Sequence, residues 1–399
     1  MKINVKSSIE DLAIFGGEPL FSKILHVGRP NIMNRAGVIS RINQAMDRNW
    51  LSNDGPLVQE LEKRFADFLQ VKHCIAVTNA TFGLQLAAKA LNVTGEVIIP
   101  SFTFIGTAHA MAWIGLKIAF FDVLAGNHTI NPEEVAAKIS KNTGAIVGVH
   151  LWGNACEIDA LQKTADRFDV PLIFDAAHAI GSTYKKQRLG GFGNVSVFSL
   201  HATKAINSLE GGLVTTNDDA LAEKIRLLRS YGFADEDQVA MLGINTKMNE
   251  FSAAMGITNL EGYDRLNAHN YELYTAYRQG VSGVEGVRML LPDEKEEHNY
   301  HYAVLNINDD ASIRRDTLHR ILVAENVYVR RYFRPGCHRS PPYNSSLNNE
   351  KFPVTDQLSM MLLQLPTGLQ MDLEKAACLA ALIRFCFNNG VDIESRLNA

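Results

Sequence analysis

The chain has 399 residues, and its 39 Lys and Arg against 43 Asp and Glu leave a formal net charge of −4. That balance excludes a polynucleotide or anionic-membrane binder, which needs clustered Lys and Arg to neutralise phosphates. With 46% hydrophobic residues and no run approaching the ~20 apolar residues that span a bilayer, the composition is globular, and its length suggests two domains or one large domain with an appendage.

The early apolar stretch at 12–15 is too short for the core of a signal peptide. Five cysteines, none in a C-x-x-C pair and odd in number, read as reduced thiols in a cytoplasmic protein. No metal site is expected. Residues 1–30 are expected to wrap onto a second domain or onto a partner.

From residue 74 onward, short apolar runs alternate with amphipathic segments. The runs are CIAVT (74–78), EVIIP (96–100), KIAFFDV (117–123), AIVGVHL (145–151), PLIFDA (171–176), VSVFSL (195–200) and GLVTT (212–216). Apolar residues on successive positions are how strands covered on both faces read. Helices are expected at 81–91, 104–115, 132–141 and 157–168. The alternation predicts an α/β fold with a mainly parallel sheet of about seven strands flanked by helices. No clear long helix separates the last two runs, so an antiparallel strand fits there.

Past residue 217 the pattern changes. Helices are expected at 218–230 and at 248–278, the latter broken at Gly256 or Gly262. The final third mixes strands (300–307, 327–333) with helices (312–326, 373–389). The expected division is a large domain over 1–274, its first ~30 residues an arm, and a smaller α+β domain over 275–399.

Ligands of parallel sheets bind beyond the carboxyl ends of the strands. Asn79-Ala80-Thr81 follows the first run and opens a helix, as an anion site or an ordinary cap would. Asp175 ends the fifth run in FDAAHAIG (174–181), where it needs a cationic or hydrogen-bonding partner, and His178 follows. The sixth run leads into FSLHATKAINSLEGG (198–212), which holds Ser199 and Lys204. Lysine is unusual after a buried strand, and condensation of its amine with an aldehyde explains it. The double glycine lets backbone pass close to something or makes a turn. Phosphate donors, a carboxylate and a lysine at three strand ends are what pyridoxal 5′-phosphate (PLP) asks of a protein. No glycine fingerprint follows a strand, which excludes a dinucleotide dehydrogenase.

The segment 174–218 resembles the nucleotide-sugar aminotransferases of the DegT/StrS group, fold-type-I PLP enzymes. So do LSNDGP (51–56), TNATFGLQLA (78–87), PSFTFIGTAHA (100–110) and GINTKMNEFSAAMG (243–256). The resemblance implies Lys204 as the Schiff-base lysine, Asp175 as partner of the pyridinium nitrogen and His178 beside the ring. It implies Phe104 stacked on the ring and Ala80, Thr81 and Ser199 as the phosphate clamp. It also implies Asn245 reaching the phosphate from the partner subunit of a homodimer; the bland alternative is that Asn245 caps the helix that follows. Dehydratase relatives carry histidine in place of the lysine, so Lys204 disfavours that activity.

Residues 148–161, 201–212 and 326–343 resemble the subgroup that aminates C4 of dTDP-4-keto-6-deoxyglucose. Arg331, Tyr332 and Tyr184 are the candidates for contacting sugar and diphosphate, although Tyr332 could equally be core of the small domain. The implied substrates are a nucleotide-linked keto-sugar and L-glutamate. The rival readings are the same chemistry on a 3-keto or GDP-linked sugar, or a PLP-fold regulator without turnover.

Overall fold

The computed structural model describes residues 3–345 and 350–398. Met1, Lys2 and Ala399, at the ends of the two expected domains, lie outside the described residues. The apolar runs form one central sheet of seven strands. In chain order they are β1 (His73–Val77), β2 (Glu96–Pro100), β3 (Lys117–Phe121), β4 (Thr143–Val149), β5 (Leu172–Asp175), β6 (Val195–Ser199) and β7 (Gly212–Thr216). Their spatial order is β1-β7-β6-β5-β4-β2-β3. All neighbours are parallel except β7, which is antiparallel to both β1 and β6.

Both faces of the sheet are covered. Helices Pro56–Leu69, Ile158–Phe168 and Glu250–Leu260 pack one face, with Leu61, Phe65, Leu161, Phe174, Phe198 and Ile257 fully buried. Helices Ala80–Ala90, Ile105–Trp113 and Asp219–Arg229 pack the other around Ile75, Ile99, Val147, Val197 and Ile225. Residues alternate between the two layers along each strand, as a pleated backbone requires.

The expected helix over 248–278 is two helices, Glu250–Leu260 and Tyr263–Gly280, with the break at Gly262. Gly256 lies inside the first, where an added Cβ would come within 2.7 Å of Leu61. A three-stranded antiparallel sheet, β8 (Val287–Met289), β9 (Ala303–Ile307) and β10 (Leu362–Leu365), follows in the order β8-β9-β10. It packs with helices Arg315–Ala324 and Leu373–Asn388 around a separate core.

Residues 3–30 wrap onto that second core. Leu12, Leu20, Phe21 and Leu25 are buried in it, and Leu25–His26 pairs in parallel with Val327–Tyr328. Buried Glu325 accepts from the backbone N–H groups of Ala13 (2.7 Å) and Leu20 (2.5 Å) and pairs with Lys6 at 3.0 Å. The strand expected over 327–333 is thus only Val327–Tyr328. Beyond it the pairing continues only as an isolated antiparallel bridge between Arg330 and Gln364 of β10, and Arg331 and Arg334 pair with Asp316.

Among the described residues no single helix is long and apolar enough to cross a membrane. The bent pair Leu373–Asn388 and Gly390–Leu397 passes by length and composition, but Leu379, Ile383, Cys386 and Ile393 are fully buried in the second core. All five cysteines are free.

Candidate active site

The strand register brings the site together. Gly212 lies opposite both Val77 and Ser199, so three strand ends form one row. Val77 leads through Asn79 into helix Ala80–Ala90, and Asn79 caps that helix by accepting from the Phe82 N–H at 2.9 Å. The helix N-terminus, with its free backbone N–H groups, therefore sits beside Ser199. Gly212 neither turns the chain nor adopts a left-handed conformation. A Cβ there would come within 2.6 Å of the Asn79 carbonyl carbon and 2.7 Å of the Ala80 nitrogen, so the glycine permits close backbone approach.

Two strands away, Asp175 is in register with Val149 and Val197. Its carboxylate is buried at 6% exposure and accepts from Thr107 Oγ1 (2.8 Å) and the Ala177 N–H (3.0 Å). Burial raises its pKa, and these two hydrogen bonds oppose the rise.

Lys204 lies in the loop between β6 and β7, closed at its base by the Leu200 N–H donating to the Gly211 carbonyl. Its amine donates to Tyr302 Oη at 2.9 Å. Burial lowers the lysine pKa to about 8, against a pull upward from Asp175. His178 is buried, and its ring stacks on Tyr302 with centroids 4.1 Å apart. Burial, then Lys204 and His301, hold His178 well below the ordinary imidazole range, so it is neutral. Its Nδ1 has no partner among the described residues.

These groups line one cavity of about 410 Å³ that takes in Ala80, Thr81, Phe104, Asp175, His178, Ser199, Lys204 and Tyr332. Phe104 is 56% exposed at its mouth, at the cap position of helix Ile105–Trp113. A second cavity of about 790 Å³ shares Phe104, Arg330, Tyr332 and Phe333 with the first and adds Arg331, Arg334 and His319. There Asp316 receives Arg315 (2.7 Å), Arg331 (3.2 Å) and Arg334 (3.5 Å). The three guanidiniums that line this cavity, Arg330, Arg331 and Arg334, leave a net positive wall.

Two of the expected residues are elsewhere. Tyr184 stands on the short hairpin Thr183–Arg188 and lines a different cavity, with Asn154, Glu157 and Glu296. The hairpin is fastened there by Glu296, which accepts from Thr183 Oγ1 and from the Lys185 and Lys186 N–H groups. Asn245 is exposed and bridges to Ser230, outside the cavity of its own chain. It does not cap the following helix: Asn249 does, accepting from the Ser252 N–H at 2.8 Å.

Sequence reasoning missed Tyr302 and Thr107. Thr107 is inside a helix, and Tyr302 belongs to an aromatic run that reads as strand core.

A family model described as the DegT/DnrJ/EryC1/StrS aminotransferase family matches residues 34–384. A dTDP-4-amino-4,6-dideoxy-D-glucose transaminase of Shigella dysenteriae is 33% identical over 331 residues, covering 82% of this chain and 88% of that protein. A GDP-perosamine synthase of Vibrio cholerae is 30% identical over 343 residues, covering 84% and 93%. The crystal structure of DesI, solved in the presence of its TDP-sugar product, superposes with a TM-score of 0.95 at 41% identity, covering 98% of this chain and 100% of that one. The chain belongs to the DegT/DnrJ/EryC1/StrS aminotransferase family.

Proposed function

We propose that this aminotransferase binds PLP in the 410 Å³ cavity and moves an amino group from L-glutamate to C4 of dTDP-4-keto-6-deoxy-D-glucose. The observation that carries the reading is the convergence on that cavity of a half-buried lysine amine, a buried carboxylate and a helix N-terminus. The residues fit the cofactor. The Ala80 and Thr81 end of the helix, with Ser199, offers donors to a phosphate, and the close approach of Gly212 keeps that cradle in place. Asp175 is assigned the ring nitrogen, His178 and Phe104 the two faces of the ring, and Lys204 the aldehyde carbon.

When bound, PLP supplies an electron-withdrawing ring that stabilises negative charge at the donor's α-carbon. The chain's residues do the rest. Lys204, its pKa brought down to about 8, is substantially neutral near that pH and can take the α-proton. Asp175 keeps the ring nitrogen protonated. The cavity walls Tyr302 and Phe333, backed by Trp152, exclude water from the reacting carbon.

The adjoining cavity with Arg330, Arg331 and Arg334 suits the diphosphate of a nucleotide-sugar, with Tyr332 between the two spaces. The 4-keto sugar is favoured by the likeness of residues 148–161, 201–212 and 326–343 to the C4-aminating subgroup. Similarity to a GDP-perosamine synthase supports a second reading, the same transfer on a GDP-linked sugar.

The test is a panel of dTDP- and GDP-linked 3-keto and 4-keto sugars, each with glutamate, with 2-oxoglutarate measured. The dTDP-4-keto-6-deoxy sugar is expected to give the highest kcat/KM. Lys204→Ala should retain cofactor through the phosphate cradle and lose ~10²–10⁴-fold in turnover, the usual worth of a positioned acid–base group. Near-native turnover in that variant would remove Lys204 from its role.

A further inference from the structure

The amine of Lys204 has one hydrogen-bond partner among the described residues, and it is a phenol. Asp175 acts on the amine through its charge, but among the described residues the two form no ion pair; its oxygens accept from Thr107 and the Ala177 N–H. His178 makes no hydrogen bond to the amine among the described residues, and His301 turns Nε2 to the Thr203 carbonyl at 2.9 Å. That leaves Tyr302 Oη at 2.9 Å.

The phenol is held from several sides. Tyr302 precedes β9, whose first residue pairs with Leu365. Its ring stacks on His178 at 4.1 Å and meets the edge of His301 at 4.9 Å and the Trp152 ring at 5.7 Å. Asn299 ties this segment to the large sheet by donating to the carbonyls of His178 (2.8 Å) and Ile180 (3.1 Å). Tyr302 is 7% exposed, so its hydroxyl has little access to water.

We propose that Tyr302 is a positioning residue for Lys204: its hydroxyl holds the lysine amine in place whenever that amine is not bonded to the cofactor. A phenol suits this task because it works in both protonation states. It accepts from an ammonium and donates to the lone pair of a neutral amine. Burial keeps the phenol itself protonated, with its pKa well above the ordinary range. Groups that face the amine from other elements are Asp175, His178 and His301, and both histidines are held neutral by burial.

The inference rests on the PLP reading, and the experiment separates the two. Apoprotein is mixed with PLP in a stopped-flow instrument. Quenching of tryptophan fluorescence, with Trp152 packed behind Tyr302 at 5.7 Å, follows non-covalent entry. The absorbance change follows condensation of the Lys204 amine with the cofactor aldehyde, in which a C=N bond forms and water leaves. Lys204→Ala isolates the entry phase. If the wild type shows no condensation, the PLP reading fails.

With the wild type condensing, Tyr302→Phe keeps the ring and its stacking and removes only the hydroxyl. The expected result is an unchanged entry phase, an unchanged melting temperature of the apoprotein, and condensation slowed about ten- to a hundredfold, the scale set by losing a hydrogen bond to an ionisable group or misplacing it by an ångström. Tyr302→Met, of similar bulk without a hydroxyl, repeats the comparison if Phe destabilises the fold. Condensation within twofold of wild type in a folded variant overturns the proposal. So does equal slowing of entry and condensation, since that is what loss of ring packing alone produces.

Discussion

Charged and titratable side chains are rarely buried without a partner, so at the residue scale each such position in the sequence is a question. Asp175 and Lys204 were legible because each follows an apolar strand where a solvated charge has no place. Tyr302 was not, because alternating aromatics at 300–302 are what a strand would also show, and only the fold brings them to Lys204. Asp175 carries a prediction of its own. Asparagine can keep its one oxygen on the Ala177 N–H and donate its amide to Thr107 Oγ1, whose hydroxyl then accepts, and it lacks the charge that burial penalises. Asp175→Asn apoprotein should melt at or above the wild-type temperature. Its half-reaction with glutamate should slow severely, because an ion pair at ~4 Å and an effective dielectric of ~20 is worth up to ~4 kcal/mol, about a thousandfold in rate. Single-turnover absorbance with glutamate measures this. An unaltered rate would take Asp175 out of the proposed role.

At the scale of elements, the central sheet was readable almost strand by strand, because burial on both faces writes continuous apolar runs. Elements without that signature were not. Helix Arg35–Asp47 buries only Val38 and Ala45, so it has no apolar stripe to find. Helix Pro353–Met361 runs directly into β10, and the single apolar run LSMMLLQL (358–365) hides the junction. The segment 327–333 alternates like a strand, yet after Tyr328 it keeps only a single bridge, Arg330 to Gln364, and Arg331 pairs with Asp316. The double glycine in the loop after Lys204 left two readings open, turn or close approach, and the contacts of Gly212 favour approach. That contact is testable. A methyl at Gly212 would meet the Asn79–Ala80 backbone, and the helix start cannot give way cheaply. Gly212→Ala should cost ~1–3 kcal/mol of stability, the usual range for overpacking. Cofactor affinity should fall further than melting alone explains, because the displaced group is the phosphate cradle. Gly126→Ala, with open space around its Cβ, should change neither the melting curve nor a PLP titration. Equal affinities in the two variants would separate Gly212 from the cradle.

At the scale of the whole molecule, one surface is hard to reconcile with an isolated chain. The segment around Asn245 exposes Tyr231 (50%), Val239 (62%) and Leu242 (92%) together, with Phe233 and Ile244 nearby. Apolar side chains gathered this way mark an interface. Asn245 lies beside the open edge of β1: its neighbour Thr246 accepts from the Thr78 N–H at 2.8 Å, next to the start of the phosphate cradle. Its amide is uncharged and can be covered at modest cost if it finds an acceptor. We propose that a second copy of the chain covers this face and that Asn245 completes the site of its partner. Complementation distinguishes a shared site from a self-contained one. Lys204→Ala and a bulky Asn245→Trp are each expected to be inactive or nearly so. Unfolded together in equal amounts and refolded, they should give mixed dimers as about half of the population. If Asn245 serves the partner, each mixed dimer has one site with both lesions and one with neither, and about a quarter of wild-type activity per site returns. If Asn245 serves its own chain, every site carries one lesion and nothing returns. Native mass spectrometry confirms that mixed dimers are present, so silence from them counts against the shared site while leaving Lys204 in its role.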